Sequence, residues 1–327
     1  MEGHVLGIDV SKDQLDVVLL MGERSIYQVF ANTALGFSRL KSWLVSRDAG
    51  RVHACLEATG QYGEAVAEVL HEQGHIVSVV NPARIKRYGE SKLHRNKNDK
   101  ADAALIAEFC RKEHPPAWVP LPPVIKQLRQ LVRRLEDMRT NRQQERNRLS
   151  SGVRQADVIA DIQAHLAFLE ERIHHLQRDI QTLIQSDYHL KQQQQLLQSI
   201  PGIGAFTAAR LIAEIGDITT FENAAQLAAY AGLNPKGCRS GTSVFRKAHI
   251  SREGRSFFRA ILYMPAIVAW RCNPIVHRFC ERLGAHGLSK MAIVAAAMRK
   301  LLHLVFGILK HQVPFDPNYL APPRFAA

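Results

Sequence analysis

Asp99 and Asp102 stand three residues apart at the end of a basic run, His94-Arg95-Asn96-Lys97-Asn98, and open a stretch from Ala101 to Phe109 that reads as a helix. On a helix that spacing turns both carboxylates the same way. Two carboxylates on one face make half of a divalent-metal site, and the neighbouring Lys97 and Lys100 suit a phosphate-bearing polyanion. The plainer reading is a capping aspartate followed by a solvated helix face. Two other acids bear on the choice. Asp9 lies inside the apolar run Val5 to Val10, where a carboxylate is costly unless paired or bound to metal. Glu57 lies near the end of another apolar run, Val52 to Ala58.

The elements that must position these acids follow from the hydrophobic pattern. Val5 to Val10, Leu15 to Leu20 and Ser25 to Phe30 are strand candidates that form a three-stranded antiparallel meander. Ala34 to Val45 has helical spacing, Val52 to Ala58 is a fourth strand, and Tyr62 to His71 is a second helix. Ile76 to Val80 is a short apolar strand closed by Asn81-Pro82, and the helix of Asp99 and Asp102 comes next. The order β-β-β-α-β-α-β-α is that of the ribonuclease H-like fold, an α/β sheet whose first hairpin is antiparallel and whose later connections cross over. In that fold the end of the fourth strand lies beside the first strand, and the last helix packs across the same region. Asp9, Glu57, Asp99 and Asp102 are therefore expected to converge. Two Mg²⁺ ions held about 4 Å apart by such a cluster can activate an attacking oxygen and stabilise the leaving one in phosphoryl transfer.

The whole chain fits a polyanionic partner. Its 327 residues carry a formal net charge of +13, and the hydrophobic share of 46% can supply real cores. Nucleic acid is the first partner that such a charge implies, an anionic membrane surface the second. No signal peptide is expected, because residues 1–8 run straight into a strand. The apolar tract Met291 to Leu309 is broken by Arg299, Lys300 and His303, so it reads as a buried amphipathic helix and not as a membrane span. Cys55, Cys110, Cys238, Cys272 and Cys280 are scattered and never spaced C-x-x-C, which excludes a zinc finger or a disulfide framework and fits a reducing cytoplasm.

Pro115, Pro116, Pro120, Pro122 and Pro123 mark a boundary, and the sequence divides into residues 1–120, 121–192 and 193–327. The middle segment reads as a pair of long helices meeting near Ser150-Ser151-Gly152, with the apolar spacing of an antiparallel coiled-coil hairpin. The first of them carries Arg129, Arg133, Arg134, Arg139, Arg142, Arg146 and Arg148 against Glu136, Asp137 and Glu145, a net basic face for nucleic acid. The last segment is mainly helical. It opens with Ser199-Ile200-Pro201-Gly202-Ile203-Gly204 before a helix from Ala205 to Ile215, which matches a helix-hairpin-helix element. There Gly202 and Gly204 would leave backbone N–H groups open to a DNA phosphate, although a tight turn packing two helices needs the same glycines. Gly232 to Ser243 reads as a polar, glycine-containing loop, followed by Arg246, Lys247 and Arg252. Ser240 in that loop is by type a turn residue, and Thr242, Ser243 and Ser251 are its equals in composition. A serine nucleophile attacking DNA would need guanidiniums beside it, and Arg239, Arg246 and Arg252 are available.

In its motifs the chain resembles the IS110-family transposases over almost its whole length. The resemblance is carried by Gly7-Ile8-Asp9, Phe30-Ala31-Asn32-Thr33, Leu56-Glu57-Ala58-Thr59-Gly60, Asn81-Pro82-Ala83, and the stretch from Arg95 to Ala103. It continues through Ser199 to Gly204, Ala231-Gly232-Leu233-Asn234-Pro235, Ser240-Gly241-Thr242-Ser243 and Leu262-Tyr263-Met264-Pro265-Ala266. It implies a RuvC-like N-terminal domain whose Asp-Glu-Asp-Asp metal site falls on Asp9, Glu57, Asp99 and Asp102. It implies a C-terminal transposase domain whose catalytic serine falls on Ser240. It further implies homodimers and homotetramers acting in the bacterial cytoplasm, at the nucleoid, on donor and target DNA that both pair with a structured noncoding bridge RNA.

The expected reaction is then RNA-guided DNA cleavage and strand exchange through a phosphoserine–DNA linkage at Ser240, with Mg²⁺ at the acids. A RuvC-like Holliday-junction endonuclease would need the acids but no serine. An actin-like ATPase would need a second phosphate loop, and none follows Gly7-Ile8-Asp9-Val10-Ser11. A non-catalytic nucleic-acid-binding module would use the positive charge, but four carboxylates facing a phosphate backbone would weaken it.

Overall fold

The computed structural model describes residues 3–58, 60, 62–92, 98–240, 244–251, 254 and 256–318, with the backbone alone at 237–240 and 244–249. The chain forms two compact units, Met1–Pro120 and Leu121–Ala327.

The first unit is built on a five-stranded mixed sheet. Strands β1 (Val5–Val10), β2 (Gln14–Met21) and β3 (Arg24–Ala31) form the meander, and β4 (His53–Glu57) and β5 (Ile76–Val80) follow, in the spatial order β3-β2-β1-β4-β5. β1 is antiparallel to β2 and parallel to β4. Alternation assigns the two faces of β1. Leu6, Ile8 and Val10 enter a core with Phe37, Leu40 and Leu44 of helix α1 (Ala34–Ser46) and Val66 and Leu70 of helix α2 (Glu64–Glu72). The opposite face packs on helix α4 (Asp99–Glu113) through Val5, Val18, Leu20, Cys55, Ile106 and Phe109. The strands thus fall where the hydrophobic pattern predicts. Helix α3 (Pro82–Ser91) was not expected; Asn81 caps it by accepting the Ala83 N–H at 2.9 Å, and Pro82 starts it. The proline-rich boundary is also more than a linker. Ser78 Oγ on β5 meets the carbonyls of Pro115 and Pro116 at 3.0 and 2.9 Å, and the Trp118 N–H donates to Val77 O. That segment lies along the edge of β5.

The second unit is mainly helical. Helices α5 (Pro123–Ser150) and α6 (Ala156–Ser186) pack on each other, joined by α7 (Tyr188–Gln198), α8 (Ala205–Ile215), a 3-10 turn (Ile218–Thr220) and α9 (Ala224–Tyr230). A hairpin of β6 (Pro235–Ser240) and β7 (Val244–Ile250) comes next, then α10 (Ser256–Cys272), α11 (Pro274–Ala285) and α12 (Lys290–His311). One core runs from Ile125 and Leu128 of α5 through Leu211 and Ile212 of α8 to Leu301 and Val305 of α12. Helix α12 has the length and apolarity to cross a membrane, but half of its most apolar window is buried against the other helices. The hairpin corrects the expected loop at Gly232 to Ser243. Pro235 to Ser240 is polar and glycine-containing, so no apolar alternation announces β6, and the ladder pairing Pro235 with Ile250 and Ser240 with Val244 defines the strand pair.

Candidate functional site

Asp9, Asp99 and Asp102 come within electrostatic reach of one another where β1 meets α4. Gly7 makes the contact possible. A Cβ placed there would lie 2.3 Å from the Ala103 carbonyl oxygen and 2.4 Å from the Ala107 nitrogen, so only glycine lets α4 approach the strand so closely. Asp9, two residues on, faces the same side, and α4 begins with Asp99 and brings Asp102 in its first turn. The capping alternative falls to a different residue. Asn98 is the cap, its Oδ1 accepting the Ala101 N–H at 2.7 Å, so Asp99 and Asp102 are left to other uses. The parallel register pairs Ile8 with Leu56, which sets Glu57 level with Asp9 on the next strand.

Electrostatic repulsion couples these acids. Burial holds the Asp9 carboxyl above the usual carboxylate range, and the charges of Asp102, Asp99 and Asp16 push it further in that order, against the lowering effect of the Val10 N–H. Asp16 is an acid that the sequence reading missed. It lies directly across the β1–β2 ladder from Asp9, is only 6% exposed, and accepts a hydrogen bond from the Tyr27 hydroxyl. That bond, with burial behind it, pushes the Tyr27 phenol up to about 12. Lys100 sits 5.5 Å from the Tyr27 ring centroid, so this cation borders the acids from above the ring. Asn32 ties the surrounding loops: its Nδ2 donates to Ser11 O at 3.0 Å and to Tyr62 O at 3.1 Å, joining the turn after Asp9 to the segment after Glu57.

Carboxylate oxygens alone are the donor chemistry of Mg²⁺, and their mutual repulsion is what a cation relieves. By donor type, though not by their spacing here, these residues suit a divalent ion. Among the described residues, no three acid, histidine or cysteine side chains stand close enough to hold one ion together. Lys97 and Arg252 lie outside the described residues, and Arg239, Ser240, Arg246 and Lys247 are described by backbone only. Ser240 ends β6 and pairs with Val244, while Arg239 pairs with Phe245 and Cys238 with Arg246.

Known proteins resemble the chain in sequence. A DEDD transposase model of the IS110 type matches residues 6–158, and a model described as transposase of the IS116/IS110/IS902 family matches 194–281. A pilin gene-inverting protein of Moraxella bovis is 33% identical over 97% of the chain and 98% of its own length, and its Moraxella lacunata counterpart matches equally. The chain belongs to the IS110 transposase family. A 43.6 kDa protein of insertion element IS110 from Streptomyces coelicolor is 30% identical over 40% of the chain and 32% of its own length. Among solved structures, T. thermophilus RuvC in complex with a Holliday junction substrate matches 34% of the chain and 96% of its own, at 16% identity and a TM-score of 0.27. This IS110-family protein is thus a DNA-processing enzyme of the transposase and recombinase class.

Two glycines named on sequence grounds have separate settings in this transposase. Gly202 has φ +104, and a Cβ there would lie 2.8 Å from the Ala269 Cβ of α10, so close packing already requires it. Gly204 starts α8 with no side-chain cap and open space around it. The register of the first hairpin was the signal that could have found Asp16: once Ser11-Lys12-Asp13 is taken as the turn, pairing Val10 with Leu15 sets Asp16 opposite Asp9.

Proposed function

We propose that this IS110-family transposase recombines DNA under the guidance of a structured noncoding RNA, using a Mg²⁺-dependent acid site and a serine nucleophile. The observation that supports the acid site is the action of the Asp102 and Asp99 charges on Asp9 across the β1–α4 contact that Gly7 permits. The sheet order β3-β2-β1-β4-β5, with an antiparallel start and parallel β4 and β5, supports a ribonuclease H-like, RuvC-like assignment. Asp9, Glu57, Asp99 and Asp102 would hold the ion. Bound there, Mg²⁺ neutralises the carboxylates and supplies Lewis-acid stabilisation for charge on a phosphate oxygen.

Ser240 is the nucleophile in this reading. Its Oγ loses a proton and forms an ester bond to the phosphorus, one strand P–O bond breaks, and the departing strand oxygen gains a proton. The phosphoserine–DNA linkage conserves the ester, so the same number of bonds can be remade without an external energy source. Such conservation suits a family with relatives named for inverting a pilin gene, since inversion must rejoin every end it frees. Arg239, Arg246, Lys247 and Arg252 neutralise the attacked phosphate, and Lys97 and Lys100 extend the phosphate contacts beside the acids. Guide pairing supplies target choice, and a homodimer or homotetramer brings acid site and serine to one DNA.

Trapping the covalent complex tests this. Wild type should give a protein–DNA adduct that Ser240→Ala abolishes, and Asp9→Asn should lose Mg²⁺-dependent strand exchange. An adduct that persists in Ser240→Ala would remove the serine from the mechanism. Strand cleavage retained in Ser240→Ala without any adduct would favour a Holliday-junction endonuclease.

A further inference from the structure

The arginines of α5 do not make the uniform basic face that their number implies. Arg129 donates to the Ala213 and Glu214 carbonyls at 2.8 and 3.3 Å and so closes the C-terminal end of α8. Arg133 lies 3.2 Å from the carboxylate of Glu214, whose side chain is 1% exposed. Arg146 pairs with Glu170, and Arg148 with Glu145. These cations are engaged within the fold.

Where α5 meets the first turn of α8 the arrangement differs. Glu136 takes two guanidiniums at once, Arg139 at 3.3 Å and Arg210 at 2.9 Å. Phe206 is held between them, with the Arg139 guanidinium carbon 4.0 Å from its ring centroid and that of Arg210 at 5.6 Å. Arg210 also stands 5.5 Å from the Phe257 ring of α10. Arg142, one turn beyond Arg139 on the same helix, adds a third positive charge that acts on Arg139. The buried Nε atoms of Arg142 and Arg210 meet no acceptor among the described residues. Glu136 pairs with Arg139 and Arg210, and Glu214, itself paired with Arg133, also acts on Arg210, so two carboxylates stand among four guanidiniums and leave a positive excess in a half-buried setting. Desolvation of unbalanced charge is costly unless an anion completes the site. Beside it α8 starts after Gly204 with no side-chain cap, and the positive end of its dipole lies at Phe206.

We propose that Arg139 and Arg210, which flank Phe206 at the start of α8, together with Arg142 one turn along α5, bind a backbone phosphate of a nucleic acid. Guanidiniums offer paired donors that match phosphate oxygens, and Arg139 and Arg210 are already fixed in direction by Glu136 and the ring. The assignment rests on the reading of this chain as a nucleic-acid enzyme and is independent of the acid site and of Ser240. A phosphodiester of DNA and one of RNA present the same group, so two probes separate them.

The test is the salt dependence of binding by full-length protein to a random-sequence DNA duplex and, separately, to a transfer RNA, for wild type and Arg142→Gln. Loss of one phosphate contact should flatten the slope of log K against log salt by about 0.9 for duplex DNA and about 0.7 for single-stranded RNA segments. The probe that shows the change identifies the ligand. Should the variant fail to fold, phenylglyoxal labelling of wild type mapped by mass spectrometry carries the test, with Arg142 protected by one saturating probe. Wild-type slopes in Arg142→Gln with both probes, or no protection of Arg142 by either, would overturn this site alone. Failure of wild type to bind either probe would bring down the nucleic-acid reading with it.

Discussion

Because burial and the charges of Asp102, Asp99 and Asp16 hold the Asp9 carboxyl above its ordinary range, the folded chain binds a proton there more tightly than the unfolded chain does. The stabilisation from protonated Asp9 is complete below the unfolded pKa and is lost as pH rises through the raised folded value. Above that raised value the ionised group therefore opposes the metal-free fold, and either a cation or an asparagine relieves it. Thermal melts should show Asp9→Asn melting higher than wild type without Mg²⁺, with the gap closing as pH falls into the raised range. Mg²⁺ at a hundredfold above its dissociation constant should stabilise wild type by about 2.7 kcal/mol and the variant far less. An equal Mg²⁺ response in both would take Asp9 out of the ion's surroundings. At this scale the sequence is legible where a residue breaks its local pattern. Asp9 does so by placing a charge inside an apolar strand, and Asp99 and Asp102 do so by their spacing. Asp16 sits between Leu15 and Val17 as any outward strand residue would, and only the pairing across to Asp9 and the Tyr27 hydroxyl reveal it.

Elements make that pairing possible, and Gly7 is where they depend on a single atom. Gly7→Ala would press a methyl group into the Ala103 carbonyl and the Ala107 nitrogen of α4, both backbone atoms that cannot rotate away. The helix must lift, carrying Asp99 and Asp102 from Asp9. Overpacking of this kind costs about 1–3 kcal/mol, and the variant should lose the Mg²⁺-induced rise in melting temperature as well as stability. Chemical denaturation with and without Mg²⁺ separates the two effects; a stability loss with the Mg²⁺ response intact would detach the helix contact from the site. The same elements show how far periodicity carries. It finds the strands of the first sheet because β1, β2, β4 and β5 are short apolar runs buried on both faces, and most helices because each buries one apolar face. It passes over β6, whose residues are polar and glycine-containing, and it cannot tell which arginines of α5 are turned inward onto Glu214 and the α8 carbonyls. Those partners are about eighty residues away in sequence, beyond any local pattern.

For the whole molecule, the division of the hydrophobic residues is the governing fact. The two cores of the first unit draw their buried residues from Val5 to Cys110, with Trp118 packed beside them. The core of the second begins at Ile125 and takes none of those residues. Each unit thus holds apolar burial of its own, and the docking of residues 115–118 on β5 seals the sheet edge of the first before the second begins. Residues 1–120 expressed alone should therefore fold cooperatively, a size at which a single domain commonly satisfies two-state behaviour. Since Asp9, Glu57, Asp99 and Asp102 all lie within it, the fragment should keep the Mg²⁺-induced rise in melting temperature, and its Asp9→Asn form should not. It lacks Ser240 and should form no adduct with DNA. Calorimetry in the presence and absence of Mg²⁺ reads both folding and ion response, and an unfolded fragment would mean that the acid site depends on the helical unit for its stability. A folded fragment without the Mg²⁺ response would mean that the ion needs donors from beyond residue 120.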